Sequence, residues 1–451
     1  MRRAHFEQPS APATLTRWRD GVACLAFLAV ACALVSLGRA RGADLLARTG
    51  RSIRAADAGR HIGILADDSF EGREGGSRGG RAAAAYIVEQ LERLPVKPAG
   101  DAGGFFQSFG SMRNILAVIP GGDPTLADEL VVIGAHYDHV GYGTAATSYG
   151  PFGFVHNGAD DNASGVAGLL EVAEALSLLD PPLPRPILVA FWDGEEQGLL
   201  GSRHFLRVRP AAIAGAKTVF SVNLDMIGRL RGRRVEVYGT RTASGLRSLV
   251  TRVNSDPATA AGLTLAFVWK IEDDSDHYPF IAAGVPTVMF HTGLHDQYHR
   301  PSDDTHLVNL DGIEPVARLT LGFVSEIAAA PLQALTFRAA CRNESDASKR
   351  LLESSVQFAP GTPRGRWGLG TRVDPGEPAT PVIVRVNPDS PAAVAGLLVG
   401  DRVVAIDGSP VEDHDNFLGR MRNASSSLAL DVDRGGTMLR VSLQDAAEEP
   451  R

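Results

Sequence analysis

Short apolar runs that break on a histidine or an acid recur along the middle of this chain, and they constrain its fold more than any other feature. Val131–Val140 starts apolar and breaks at His136-Tyr137-Asp138. Ile187–Trp192 runs into Asp193-Gly194-Glu195-Glu196, and Val219–Leu224 runs into Asp225. Val285–Thr292 is a further short run, with Tyr298-His299 soon after it. Continuous runs of this length and β-branched content read as strands buried on both faces. Between them lie helix-like stretches. Gly79–Leu94 has Ala83, Ala84, Tyr86, Ile87, Leu91 and Leu94 at helical spacing, and Val166–Leu179 and Gly312–Ala330 follow further on. Alternation of this kind predicts an α/β fold, a mixed but mostly parallel sheet sandwiched by helices, with the polar breaks at the carboxyl ends of strands where such sheets bind ligands.

The segment Gly158–Gly165, GADDNASG, enters the Val166–Leu179 helix. Its small residues let the backbone turn sharply, and Ser164 is placed to cap the helix. Asp160 and Asp161 are then presented at the helix mouth, Asp160 shaping the loop and Asp161 facing outward. With its neighbours this makes five polar segments in one α/β region. Two divalent ions need about four ligands each and a shared carboxylate to hold them together. His136 and Asp225 suit one ion, Glu196 and His299 the other, with Asp161 as the bridge. Three carboxylates facing two dications leave a net charge of about +1, which activates a water and polarises a carbonyl. Asp138, two residues from His136, is placed to accept a hydrogen bond from its imidazole. Of the adjacent acids Glu195-Glu196, one can take a metal while the other stays free to move protons. His139, His291 and His295 lie near these positions and read as supporting groups. Asp276 and His277 receive no chemical step.

Bulk properties narrow the partners. The 451-residue chain carries a net charge of −7, so no basic surface for nucleic acid is expected. Its cysteines are Cys24, Cys32 and Cys341, which excludes a disulfide framework and a thiolate cluster. Gly21–Leu37 is almost wholly apolar, near the lower limit of about 17 residues for crossing a bilayer. Residues 1–45 therefore read as a signal peptide cut near Ala40 or Ala43, or as an uncleaved anchor, which Arg39 and Arg41 beside the cut favour. Lipid attachment at Cys32 is disfavoured by Ala29 three residues before it. Either way the chain is expected to be exported to the cell envelope, membrane-anchored or secreted or periplasmic.

Residues 59–330 resemble the zinc aminopeptidase family that includes secreted bacterial aminopeptidases, glutamate carboxypeptidase II and glutaminyl cyclase. The resemblance rests on GAHYDHVG at 134–141, GADDNASG at 158–165, WDGEEQGLLGS at 192–202, NLDMIG at 223–228, SDHYPF at 275–280 and YHRPSDD at 298–304. It implies two zinc ions held by His136, Asp161, Glu196, Asp225 and His299, Glu195 as the base, Tyr298 as the donor to a tetrahedral oxyanion, and a cis bond after Asp161. It also implies peptide or protein substrates. Two relatives of different function share the fold: a single-zinc cyclase and catalytically silent membrane-tethered scaffolds that lack ligand positions. The intact set in this sequence disfavours the scaffold.

Residues 46–330 thus form the expected peptidase domain, and 331–364 a linker with some helix. From 365 to 446 the pattern changes to short strands and glycine turns: Trp367-Gly368-Leu369-Gly370, Pro381–Val386, Arg402–Ile406, a helix near Asp413–Arg422, Leu428–Val432 and Met438–Leu443. This small β-rich unit resembles the PDZ domains attached to bacterial proteases. The resemblance implies a pocket for C-terminal peptide tails built from the N–H groups of Gly368, Leu369 and Gly370, with the peptide adding as a strand.

Overall fold

The computed structural model describes residues 45–357 and 365–445. The Gly21–Leu37 run lies outside them, and among the described residues no helix is long and apolar enough to cross a membrane. The first sheet has nine strands: β1 (Lys97–Pro98), β2 (Phe106–Phe109), β3 (Met112–Ile119), β4 (Glu129–His136), β5 (Ile187–Trp192), β6 (Lys217–Leu224), β7 (Arg234–Tyr238), β8 (Thr264–Phe267) and β9 (Thr287–His291). Their order is β1-β3-β5-β4-β6-β9-β7-β8, with β2 paired to β3. The central strands β5, β4, β6 and β9 run parallel, while β3 and β7 join them antiparallel.

Period-two alternation divides these strands between two cores. Val131, Ile133, Ile187, Val189 and Phe191 face one side with helices α1 (Ala55–Leu65), α2 (Arg78–Leu91) and α3 (Gly165–Ser177). Leu130, Val132, Leu188, Ala190 and Trp192 face the other, against Phe205 of α4 (Leu200–Arg207). Helix α5 (Leu246–Ser255) adds Leu246 and Val250 to the first core, α6 (His277–Ala282) adds Phe280 to the second, and α7 (Leu310–Ala329) closes the first. Register aligns the carboxyl ends: His136 pairs with Trp192, Gly134 with Asn223, and Leu224 with Phe290. The polar breaks therefore converge at one end of the sheet, as the α/β reading requires.

Residues 331–357 are not a bare tether. They contain short 3-10 turns and α8 (Asp346–Glu353), which opens with a capping box on Ser345. The C-terminal sheet has six strands, β10 (Leu369–Asp374), β11 (Glu377–Val386), β12 (Arg402–Ile406), β13 (Ser409–Pro410), β14 (Ser427–Arg434) and β15 (Thr437–Gln444), all antiparallel. With α9 (Pro391–Val394) and α10 (His414–Asn423) it encloses its own core around Ile383, Phe417, Leu430 and Leu443.

Candidate metal centre

His136 ends β4, and its Nε2 lies 3.4 Å from Asp161 Oδ1 and 3.5 Å from Asp225 Oδ1. His299 Nε2 lies 3.2 Å from Asp161 Oδ2 and 3.0 Å from Glu196 Oε2. Asp161 thus turns one oxygen to each histidine. Three groups have ligand atoms within 4.8 Å of one another: His136, Asp161 and Asp225; His139, Asp161, Glu196 and His299; and His136, Glu195 and Glu196; the first two share Asp161. His139 joins the second group through its Nδ1, which is 2.8 Å from Glu196 Oε1. His295 meets Asp160 Oδ2 at 3.2 Å, and His291 Nδ1 accepts the Gly293 N–H at 2.8 Å.

The loop that carries Asp161 is laced to its surroundings. The Asp161–Asn162 peptide is cis. Asp303 Oδ2 accepts the N–H groups of Asp160 and Asp161 at 2.9 and 3.1 Å, while its Oδ1 pairs with Arg229 at 2.9 Å. Asp160 Oδ1 accepts from Gly228 N (2.6 Å), and Asn162 Oδ1 from Met226 N (3.1 Å) and Gly165 N (3.0 Å). It is therefore Asn162 that receives the first helical N–H. Ser164 does not cap the helix: it sits with helical backbone angles, and its hydroxyl donates back to Asp160 O at 2.7 Å while accepting Ile227 N at 3.0 Å. These bonds couple the Asp161 loop to the segment that carries Asp225. A second brace is Arg73, fully buried, which donates to the carbonyls of Leu65 (2.7 Å), Tyr137 (3.0 Å), Asn157 (2.6 Å) and Gly158 (2.9 Å). It ties the end of β4 to the start of the Asp161 loop. Gly72 before it has φ +67°, and a Cβ there would come within 2.5 Å of the Gly141 carbonyl.

Asp138 departs from the sequence expectation. Its backbone carbonyl, not its carboxylate, accepts from His136 Nδ1, at 3.2 Å. The carboxylate lies 3.7 Å from that nitrogen and accepts the N–H groups of Glu195 and Glu196 at 3.1 and 3.4 Å. The turn after β4 folds the main chain onto the ring and leaves the carboxylate to fix the turn after β5, where Gly194 has φ +71°. Asp225 Oδ2 is held by the Ser275 hydroxyl at 2.5 Å, and Ser275 accepts from Asn223 Nδ2 at 2.8 Å.

The adjacent glutamates titrate in opposite directions. Burial, reinforced by the carboxylates of Glu196, Asp276 and Asp225, pushes Glu195 well above the ordinary carboxyl range against the pull of His136. Glu196 is driven down to about 2: burial and Asp161 oppose this, but pairing with His139 and His299 prevails. Such a pair separates a proton carrier from a permanent anion. Burial and the nearby carboxylates Asp161, Glu196 and Asp225 raise the Tyr298 hydroxyl, which keeps its proton as a donor, and its ring stacks on His299 at 3.9 Å between centroids. A cavity of about 220 Å³ joins these groups to Met226, Tyr238, Glu272, Asp274, Ser275, Met289, His291 and Leu294. The loop 141–154 supports the His299 segment instead of forming this wall, since Tyr149 N and Ser148 Oγ both donate to His299 O, at 3.1 and 2.9 Å.

The donor set fits divalent ions. Against burial, which lowers it, pairing with Asp161 and Glu196 lifts His299 to about 11, so the cluster demands positive charge. The buried Nε2 of His299, which faces Asp161 and Glu196, has no aligned hydrogen-bond partner. Histidine nitrogen with carboxylate oxygen suits zinc, and also cobalt or manganese.

In the C-terminal sheet, Leu369 and Gly370 open β10 opposite Val386 and Arg385. The Gly368 N–H is spent on Gly365 O at 3.2 Å in a tight turn with φ +71° at Gly368, so it is not free for a carboxylate as the sequence reading had it. Thr371 Oγ1 meets His414 Nε2 at 2.9 Å between β10 and α10.

The fold and the cavity together describe an α/β domain with a histidine–carboxylate cluster at its strand ends and a β-rich appendage. Residues 114–324 match the family model of Peptidase family M28 and residues 382–434 that of the PDZ domain, so the chain carries an M28 peptidase domain followed by a PDZ domain. Among curated proteins it is 27% identical to leucine aminopeptidase 1 of Trichophyton rubrum, over 55% of this chain and 68% of that protein. It is 31% identical to leupeptin-inactivating enzyme 1 of Streptomyces exfoliatus, over 50% of this chain and 45% of that one. Among solved structures the LapA aminopeptidase of Legionella pneumophila superposes with a TM-score of 0.52 at 19% identity, over 63% of this chain and 75% of that one, a likeness of fold.

Proposed function

We propose that this chain is an exported aminopeptidase that works with two zinc ions. His136 and Asp225 would hold one ion, Glu196 and His299 the other, and Asp161 would serve both. When bound, the pair supplies Lewis acidity to the scissile carbonyl and to the attacking water. Glu195, free of the ligand set, takes the proton from that water and returns it to the leaving amine. Tyr298 donates its hydroxyl proton to the oxygen that becomes negative. Asp303, Arg73 and Asp138 keep these groups in register. The observation that carries this reading is Asp161, with one oxygen toward His136 and the other toward His299. The names of the curated relatives support the aminopeptidase assignment. The PDZ domain would take peptide tails along β10, with Leu369 and Gly370 at the carboxylate end.

The test is cleavage of a panel of free and N-acetylated peptides by the purified chain with zinc, beside Glu195→Gln. Loss of cleavage on acetylation and in the variant is expected. Equal cleavage of blocked peptides would point to carboxypeptidase or endopeptidase action. No cleavage at all, with two zinc ions bound, would overturn the assignment in favour of a cyclase or a binding scaffold.

A further inference from the structure

Strand β8 is an edge of the large sheet, and an edge must be covered. Two buried aromatic residues mark its end, Phe267 on the strand and Trp269 just past it. Each lies under an arginine: Arg247 is 4.3 Å from the Phe267 centroid, and Arg241 is 3.7 Å from that of Trp269. Both arginines turn their other edges to the C-terminal sheet. Arg241 donates to both oxygens of Asp374, at 3.0 and 2.9 Å, and to Glu344. Arg247 donates to Asp433 at 2.9 Å. From the far side Arg402 donates to the same Asp374 at 2.7 Å. Glu377 caps α5 across the seam, accepting Arg247 N at 2.9 Å and Ser248 Oγ at 3.0 Å. The approach is close: a Cβ on Gly376 would sit 2.8 Å from the Arg241 guanidinium, and one on Gly436 2.5 Å from Leu265 Cβ.

The seam reaches the cavity through one short segment. Trp269 anchors its start, and Ser275, bonded to Asp225, anchors its end. Glu272 and Asp274 between them line the cavity. We propose that the C-terminal domain braces one wall of the substrate cavity and is not a tethered recruiter: by holding Arg241 over Trp269, Asp374 of that domain and Glu344 of the connecting segment set where the wall at 270–274 stands. Arg241 and Trp269 are positioning residues. The kinetic part of this inference rests on the aminopeptidase reading; the structural part does not.

The experiment compares the full chain with Arg241→Met, Trp269→Ala, Trp269→Phe and Gly376→Ala, by hydrogen–deuterium exchange and by peptide hydrolysis. Arg241→Met and Trp269→Ala are expected to speed exchange across 268–275 and to raise KM about five- to tenfold with kcat within about twofold. Trp269→Phe keeps an aromatic face and is expected to stay near wild type. Gly376→Ala removes no charge, crowds Arg241 from the C-terminal side, and is expected to move the same segment less. Unchanged exchange at 268–275 in Arg241→Met, or in Gly376→Ala if the former does not fold, would overturn the inference. If the wild-type chain cleaves no peptide, the aminopeptidase reading fails, and the exchange data alone decide whether the domain braces this wall.

Discussion

The cavity and the seam are both clusters of buried charge, and they solve the same problem differently. In the seam each buried aspartate meets an arginine. Asp374, despite burial, is held down at about 2 by Arg241 and Arg402, and Asp433 pairs with Arg247. The chain neutralises this region with its own cations, so it is electrically closed and structural. In the cavity Asp161, Glu195, Glu196 and Asp225 face one another and imidazoles. Arg73, buried nearby, spends its donors on backbone carbonyls. That cluster is left open to cations from outside. Acids buried to a similar degree thus do opposite jobs according to whether arginine or histidine faces them.

Breaking the contrast at its functional end gives the largest expected effect. Glu195→Gln should lower kcat by about 10³-fold while zinc binding and melting temperature stay near wild type, as hydrolysis, metal titration and calorimetry would show. A tenfold change or less would remove Glu195 from the proton path. Next is Arg73→Met, which strands the carbonyls of Leu65, Tyr137, Asn157 and Gly158. It should cost about 4 kcal/mol in denaturant unfolding. A loss under about 1 kcal/mol would mean that solvent replaces the brace.

The seam contains its own contrast. Burial raises Glu377 to about 7, whereas Asp374 lies near 2. Below pH 4.5 Glu377 is protonated folded or unfolded, and its contribution is fully present. As pH rises from there through 7 the unfolded chain has released a proton that the folded chain retains, so stability falls, by at most about 3 kcal/mol. Asp374 acts oppositely, and its contribution is lost only below about pH 4. Glu377→Gln should therefore flatten the decline in melting temperature between pH 5 and 8 and leave the acid limb intact. An unaltered decline would assign it to other groups. The smallest effect is expected from Asp303→Asn, which weakens the hold on the Asp160 and Asp161 N–H groups. Zinc affinity should fall about tenfold by calorimetric titration. No change would show that Asn162 and Asp160 suffice to fix the loop.

Much of the cavity was legible in the sequence because a parallel strand end is a local signal: an apolar run that stops at a polar residue. Ile187–Trp192 and Arg402–Ile406 were read with the observed bounds, and His136, Asp161, Glu196, Asp225 and His299 do converge. The supports were not legible. Arg73 sits in a glycine-rich stretch that looks like solvent-exposed loop, and nothing local tells that its partners are backbone carbonyls as far away as Gly158. Asp138 was placed by its spacing from His136, but spacing does not say whether a side chain or a carbonyl turns toward the ring. Strand β8 is too short to show alternation, and α1 carries Gly59 and Gly63, which depress its helical signal. The seam was invisible for a related reason. Arg241 and Arg247 look like ordinary surface charges, and the pairing of Arg241 with Asp374, 133 residues away, leaves no periodic trace.

The most direct test of the central claim is a count of zinc ions bound per chain, by titration calorimetry with elemental analysis, in the metal-stripped protein and in Asp161→Asn. Two ions are expected in the wild type and loss of both tight sites in the variant, because one carboxylate serves both. A single ion in the wild type, or an Asp161→Asn variant that still binds two, would contradict a shared centre.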